Sequence, residues 1–221
     1  MRIIHRYYIL PKRDQKRKLW SFIFNLLIII AVIVFMAWST NLWIILILVQ
    51  PVVSIYASFI DVPTGRRKGQ IIYYSPLLLS SALKHNKIQL HGGTLFDYYY
   101  TLSIHKSESR NKKAILYSYM EGLLNMLDSF SKKQDDVKIE ANAYFINPHT
   151  AEKLGFKKVR TKNFQKLIML LNYVPITISY SIAMGNLSFP NILSLKSYEC
   201  KMGDLRKNRT KLEVMFERIN Q

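Results

Sequence analysis

Apolar residues run almost without interruption from Leu19 to Ile60, and no Lys, Arg, Asp or Glu falls between them. A short polar turn, residues 39–41, divides this stretch into two halves of about 20 residues, each long enough for a helix to cross a hydrocarbon core of roughly 30 Å. Neither half shows the polar face that a surface helix of a soluble protein carries. The pattern therefore predicts a hairpin of two transmembrane helices, residues 19–38 and 42–60.

The polar residues inside the hairpin are few and uncharged, and Gln50-Pro51 is the most prominent pair among them. It predicts a kink at which the Gln50 side chain bonds a freed carbonyl or a neighbouring helix. Two helices without an ionisable side chain offer no relay for ions or protons. The hairpin is therefore expected to act as an anchor, or as a surface for the helices of a membrane-protein partner.

Positive charge flanks the hairpin on both sides, and the turn between its helices carries none. Residues 1–18 are rich in Lys and Arg against the single acid Asp14, and Arg66, Arg67 and Lys68 follow the second helix. The positive-inside rule then places both flanks in the cytoplasm. We expect a multi-pass protein of the inner, or plasma, membrane with both termini cytoplasmic, and a basic segment 1–18 lying along anionic headgroups.

Helical and period-two patterns alternate after the hairpin, which predicts a mixed cytoplasmic domain over residues 70–221. Residues 61–69 contain a proline and two glycines and predict a linker. Residues 166–185 are apolar as well, but Pro175 and the alternation after it favour a helix followed by a strand, 176–183, over a third membrane span. The other predicted strands are 70–74, 87–90, 95–104, 137–145 and 156–160, and the other predicted helices are 76–85, 112–130, 147–155 and 203–219.

The formal net charge of +18 over 221 residues raises two classes of partner. Lipid headgroups are favoured over nucleic acid, because the sequence contains no nucleic-acid-binding motif. Cys200 is the single cysteine, which excludes an intramolecular disulfide and a cysteine-based metal centre, and no Cys/His metal spacing is present. No metal site is therefore predicted.

The order of elements from residue 94 to 160 is strand, long helix, strand, short helix ending in Gly-Phe, and strand. This order resembles the central part of the GNAT acyltransferase superfamily, and the most specific match is NPHTAEKLGFKKV, residues 147–159. The resemblance implies a membrane-anchored α/β (α+β) fold, in which two transmembrane helices precede a GNAT-like mixed sheet with helices on both faces. Residues 95–104 would be the family's fourth strand, and residues 112–130 its long helix.

The same resemblance implies a binding site for acetyl-CoA or another acyl-CoA. In the family this cofactor lies where the fourth and fifth strands splay apart, and its pyrophosphate accepts N–H bonds at the start of the long helix. Here that start offers cations suited to phosphate, although a solvated basic helix start is the alternative interpretation. The cofactor-binding candidates are Arg110, Asn111, Lys112, Lys113 and Asn147.

Catalytic candidates come from residues able to move a proton near neutral pH. His91 stands beside Gly92-Gly93, whose backbone can approach other atoms closely, and Asp97 on the following segment is its expected partner. Glu140 and Tyr144 on the predicted strand 137–145 are further candidates. The alternative for each is a structural turn, strand or surface residue.

Two functions of different class follow. The first is an acyl-CoA-dependent N-acyltransferase whose acceptor is an amine near the inner leaflet: a lipid headgroup, a cell-wall precursor or a membrane protein. The second is a non-catalytic, membrane-anchored interaction or scaffold protein that kept the fold and lost the cofactor. Two departures from the family favour the second: residues 107–114 contain no glycine, and Ala151 stands where the family often has a general-acid tyrosine.

Overall fold

The structure is a computed structural model that describes residues 4–102, 107–143 and 148–220. Within these ranges the chain forms a mixed α+β fold with a six-stranded sheet. The helices are α1 (Arg6–Ile9), α2 (Lys12–Thr40), α3 (Val49–Arg67), α4 (Leu95–Thr101), α5 (Glu108–Ser129), α6 (Pro148–Lys153), α7 (Asn163–Leu171), α8 (Tyr173–Met184), α9 (Met202–Lys207) and α10 (Arg209–Asn220). The strands are β1 (Ile71–Ser75), β2 (Leu78–Ser81), β3 (Lys87–Gly92), β4 (Lys138–Ala143), β5 (Lys157–Val159) and β6 (Lys196–Lys201).

Two helical segments are long and apolar enough to span a membrane, Lys12–Thr40 and Trp43–Arg67, with mean hydropathy 2.7 and 2.1 over their most apolar windows. Asn41 ends the first in a left-handed conformation, which asparagine tolerates better than most residues. The second begins as a 3-10 helix, Trp43–Leu48, and becomes α3 at the residue before Gln50-Pro51. The two apolar segments pack against each other as the predicted hairpin.

Helix α3 continues through most of residues 61–69, which the sequence predicts as a linker. Packing explains the difference, because Val62, Pro63 and Gly65 are buried against the domain. A Cβ at position 65 would come within 2.8 Å of the Ile71 side chain, so this glycine allows α3 to approach β1. The second apolar helix is thereby joined rigidly to the sheet.

The N-terminal segment is docked on the domain rather than lying wholly along headgroups. Tyr7 is 1% exposed and packs against Phe96 and Tyr100. The guanidinium of Arg6 donates to the carbonyl oxygens of Tyr99, Tyr100 and Leu102, which lie at the C-terminal end of α4. A cation bonded to the last carbonyls of a helix stabilises that helix end, so the segment fixes α4.

The sheet has the strand order β1-β2-β3-β4-β6-β5. Strands β1, β2 and β3 form an antiparallel meander, β3 pairs with β4 in parallel, and β6 is antiparallel to both β4 and β5. The connection between the parallel strands carries α4 and α5, and apolar side chains of α5 form the core with one face of the sheet. Helix α8 packs against α3, α4 and α5, and α10 packs against α5.

The strand predicted over 95–104 is wrong where the structure describes it, because residues 95–101 form α4. Its residues are buried on almost every side, so the alternation of apolar and polar positions does not report a half-buried strand. Thr94 and Asp97 form a capping box at the start of α4. A Thr-x-x-Asp spacing of this kind signals a helix start.

Two further predictions exchange helix and strand. The helix predicted over 76–85 is wrong, since β2 occupies residues 78–81 and forms a hairpin with β1. The strand predicted over 176–183 is α8, in which Pro175 occupies the third position. Proline is tolerated in the first turn of a helix because the N–H groups there have no intrahelical partner. The predicted helix over 203–219 is divided into α9 and α10 at Asn208.

Candidate functional site

Strands β3 and β4 separate before they end. Their parallel pairing runs from Lys87 opposite Lys138 to Leu90 opposite Ala141. Beyond that point β3 pairs with β2 alone and β4 pairs with β6 alone. The sheet therefore opens between His91 of β3 and Asn142 of β4. We refer to this opening as the strand gap.

Three cavities meet near the strand gap. The first, about 300 Å³, lies between the sheet and α5 and is lined mainly by apolar side chains; we call it the α5 cavity. The second, about 450 Å³, lies against α3, α7 and α8 and is called the α8 cavity. The third, about 460 Å³, extends to the start of α5 at Lys112 and is called the Lys112 cavity. Tyr119 lines all three, and His91, Gly92 and Asn142 line the first two.

The His91 side chain is accessible to solvent, and its pKa is lowered. His91 is exposed and lines the α5 and α8 cavities at the strand gap. The protein atoms packed near its ring disfavour the charged imidazolium and lower the pKa of His91 below its usual value. The imidazole is therefore neutral at pH 7, with one ring nitrogen able to accept a proton.

Gly92 and Tyr119 shape the point where the cavities join. A Cβ at position 92 would lie 2.5 Å from the Tyr119 hydroxyl oxygen, so the glycine makes room for that hydroxyl. The Tyr98 hydroxyl lies 3.4 Å from the Tyr119 hydroxyl, and burial raises the pKa of Tyr98 to about 12. Tyr98 is therefore protonated at neutral pH. The close backbone approach expected of Gly92-Gly93 is confirmed.

Asp97 is not brought to His91. Its carboxylate is fully buried and accepts hydrogen bonds from the Tyr73 hydroxyl at 2.5 Å and from the Thr94 N–H and hydroxyl at 2.7 and 2.8 Å. His5 Nε2 lies 3.2 Å from the same carboxylate. These contacts join α4, β1 and the N-terminal segment, so Asp97 holds elements together.

Glu140 lines none of the three cavities near the strand gap. Its carboxylate lies 3.4 Å from Lys87 Nζ and 3.7 Å from Lys138 Nζ, as expected of a partly exposed strand residue. The candidates Tyr144 and Asn147 lie outside the described residues.

The cofactor-binding candidates at the start of α5 separate into two groups. Arg110, Lys112 and Lys113 are exposed, and Lys112, which forms an ion pair with Glu108, is the one that lines a cavity. Asn111 is fully buried, and its Nδ2 donates to the Ile182 carbonyl at 2.8 Å. Asn111 therefore connects α5 to α8.

Sequence reasoning missed Tyr119 and Asn142. Tyr119 belongs to the apolar stripe of α5, where a tyrosine gives no signal that distinguishes a cavity from a core. Asn142 occupies an outward position of β4 and accepts a hydrogen bond from the Ser197 hydroxyl at 2.7 Å. Tertiary contacts bring these residues to His91: α5 packs Tyr119 against Gly92, and the pairing of β3 with β4 positions Asn142.

A fourth cavity, about 480 Å³, lies where α2 begins and α3 ends, and we call it the basic cavity. The guanidinium of Arg66 stacks 3.8 Å above the Tyr8 ring at its edge. Its lining contains four cationic side chains and no acidic one among the described residues. The lining residues are Tyr8, Lys12, Gln15, Lys16, Pro63, Arg66 and Arg67.

In the described ranges, no group of three or more His, Cys, Asp or Glu side chains is placed to hold a metal ion. No protein-family model, curated protein or solved structure matches the chain. The residues around the strand gap are therefore the basis for a functional proposal.

Proposed function

We propose that the chain is a membrane-anchored acyltransferase that transfers an acyl group from acetyl-CoA or another acyl-CoA to an amine near the inner leaflet. The observation that carries the proposal is the strand gap, with a cavity on either side of a parallel strand pair. In the GNAT superfamily, which the sequence resembles, the acyl-CoA lies where two neighbouring strands splay apart in this way. In this assignment β3, rather than residues 95–104, takes the place of the family's fourth strand.

The cavities on the α5 side suit a long thioester ligand. The Lys112 cavity is lined at one end by Lys112, in the second turn of α5, and a lysine ammonium can bind phosphate. It continues past Tyr119 into the mostly apolar α5 cavity, which ends at the strand gap. Lys112 would hold the phosphates, and the apolar lining would hold the arm that carries the acyl group.

His91 is assigned the role of base. Bound acyl-CoA would supply a thioester, in which the C–S bond breaks as the amine nitrogen of the acceptor forms a C–N bond. His91 takes the proton that the amine must lose and returns it to the departing sulfur, so the products are an amide and a thiol. A neutral imidazole in the gap suits this transfer, because its lowered pKa keeps it unprotonated at pH 7.

The alternative is a non-catalytic interaction protein. Ala151 lines the α5 cavity, so the hydroxyl that a tyrosine would place there is absent. In addition, residues 107–114 contain no glycine to let backbone approach a pyrophosphate closely. This alternative predicts that acyl-CoA leaves the stability of the chain unchanged.

Thermal unfolding of the full chain in mild detergent tests the proposal. A ligand at 100 times its dissociation constant that binds only the native state stabilises it by about 2.7 kcal/mol. For a chain of this size that raises the midpoint by about 5 °C or more. We expect acetyl-CoA to produce this shift.

Leu116→Trp is the variant that tests where the ligand binds. Leu116 lines both the α5 cavity and the Lys112 cavity and is 43% exposed. A larger side chain there therefore fills the cavity without entering the core. Val214→Trp on α10 is the matched control, since Val214 is 41% exposed and lines none of the three cavities at the strand gap. The shift should be lost in the first and kept in the second. A shift that survives Leu116→Trp would place the ligand elsewhere, and no shift in the folded parent chain would favour the interaction protein.

A further inference from the structure

Helix α7 carries its apolar side chains on the outside of the molecule. Phe164 is 69% exposed and Leu170 is 60% exposed, values that a helix in water avoids for large apolar residues. Helix α8 follows after a 73° bend, and the two helices together meet the length and hydropathy expected of a broken membrane span or a re-entrant loop. The apolar side chains of this face that are more than a third exposed are Phe164, Leu167, Ile168, Leu170, Leu171 and Val174.

The contact between Gln50 and α7 indicates how deep in a bilayer the apolar face of α7 would lie. Gln50 Nε2 donates to the Leu171 carbonyl at 3.2 Å, at the C-terminal end of α7. About ten helical residues separate Gln50 from Ile60, where the apolar run ends, which corresponds to roughly 15 Å or half a hydrocarbon core. A bilayer that covers the apolar run of α3 therefore also covers the end of α7. The bond satisfies a polar side chain and a helix-end carbonyl that would otherwise meet lipid.

We propose that α7 and the start of α8 are immersed in the bilayer, with lipid acyl chains covering the apolar face of α7. This face continues the apolar surface of α3, so one layer of lipid covers both. Lys162 and Lys166 are the cations of this segment, and their long side chains can extend toward the headgroups.

Immersion determines how a substrate reaches His91. The α8 cavity is walled by Ser58 of α3 and by residues of α7 and α8, and it ends at His91 and Gly92. It therefore opens beside the bilayer. Resting on the proposed acyl transfer, we assign as acceptor an amphiphile that bears a primary amine: its apolar part stays in lipid while the amine enters the cavity.

Depth-dependent fluorescence quenching tests immersion without requiring any activity. Leu167→Cys and Leu170→Cys in the full chain, labelled with an environment-sensitive fluorophore, are reconstituted in vesicles that contain nitroxide-bearing phosphatidylcholine. Val214→Cys on α10 is the matched control, since it is an exposed apolar residue on a polar helix. The parent chain gives the background, because Cys200 is buried and its pKa is raised to about 12 by that burial.

The nitroxide lipid should quench the fluorescence of the α7 labels, and aqueous iodide should not. The label on the control variant should be quenched by iodide and not by the nitroxide lipid. Quenching of the α7 labels by iodide alone would place α7 in water and overturn the proposal. Protection from both quenchers would mean that a protein surface covers α7, which overturns it equally.

The acceptor is tested separately with radiolabelled acetyl-CoA and vesicles of phosphatidylethanolamine, whose primary amine can be acylated, or phosphatidylcholine, whose nitrogen cannot. Label in the phosphatidylethanolamine fraction alone is the expected result. Transfer to a water-soluble amine such as ethanolamine at an equal rate would overturn the acceptor assignment and leave acyl transfer standing. Failure of acetyl-CoA to bind would instead reject the proposed function while immersion remained measurable by quenching.

Discussion

His91 is the residue whose ionisation the proposed chemistry depends on. Partial desolvation of the imidazolium lowers the pKa of His91, so its neutral form persists to a lower pH than the usual value near 6.5 allows. Because a base must be deprotonated to act, kcat/KM should be constant near pH 7 and fall only when the pH drops below about 6.5. The pH profile of acetyl transfer measures this limb directly.

Replacement of His91 should then remove both the rate and the acid limb. His91→Asn is expected to lower kcat by about 100-fold or more, the usual contribution of general base catalysis. His85→Asn is the matched control, since His85 is exposed and its φ of 49° suits asparagine. An unchanged profile in His91→Asn would contradict the assignment of His91 as base.

For individual residues, the sequence indicated the candidate site only where neighbouring residues carried the signal. His91 could be singled out because two glycines follow it. No local pattern, however, indicates which side chains bond to its expected partner, Asp97. The groups that bond Asp97, His5 and Tyr73, lie 92 and 24 positions away along the chain. No pattern in the sequence indicates that they compete for the carboxylate, so the pair predicted with His91 was wrong.

Gly122 allows α5 to pack closely against the sheet. A Cβ there would lie 2.7 Å from the Leu78 Cβ and 2.8 Å from the Ser75 Oγ. Gly122→Ala gains about 1 kcal/mol of helix propensity but forces overpacking that costs about 1–3 kcal/mol. We expect a net loss of stability, measured as a lower midpoint in chemical or thermal denaturation.

A matched substitution on the same helix separates the two effects. Ser109→Ala lies on the exposed first turn of α5, where no overpacking arises, and should leave the midpoint nearly unchanged. A higher midpoint in Gly122→Ala would contradict the prediction, because it would show that the space between α5 and β2 accommodates the added Cβ. The prediction concerns only the packing of two elements and does not depend on any function.

Elements were predictable when one face alone is buried. The long helix α5 and the strands β1, β3, β4 and β5 appear where the pattern placed them. The failures include α4 and α8, which are buried on several sides, β2, which was predicted as a helix, and β6, which was not predicted. Strand β6 lies between β4 and β5 and alternates buried Tyr198 and Cys200 with Glu199, a pattern too short and too polar to distinguish from a loop.

The whole molecule was predictable as a hairpin followed by a mixed domain, but the joint between them was not. Docking of Tyr7 on α4, continuation of α3 into the domain and the Gln50–Leu171 bond are all contacts between distant parts of the chain. They bring the strand gap next to the apolar helices. This proximity, rather than any single residue, is why an acceptor from the membrane is proposed.

The basic cavity suggests a fixed position for an anionic headgroup beside the hairpin. Lys12 and Lys16 from α2 face Arg66 and Arg67 from α3 where both apolar runs end. A basic pocket between two apolar helices suits a phospholipid phosphate, at about 1 kcal/mol for each cation. We therefore expect short-chain phosphatidylglycerol to raise the thermal midpoint of the full chain in detergent more than phosphatidylcholine does, and less so at high salt.

Removal of two of these charges should weaken that binding by about 10- to 30-fold, the ratio that corresponds to about 2 kcal/mol. The variant is Lys16→Gln with Arg67→Gln, followed by titration of phosphatidylglycerol. Lys132→Gln with Lys133→Gln removes the same charge from an exposed segment remote in sequence from the hairpin. If the control pair weakened binding equally, net charge alone would explain the attraction, and the cavity would not be a headgroup site.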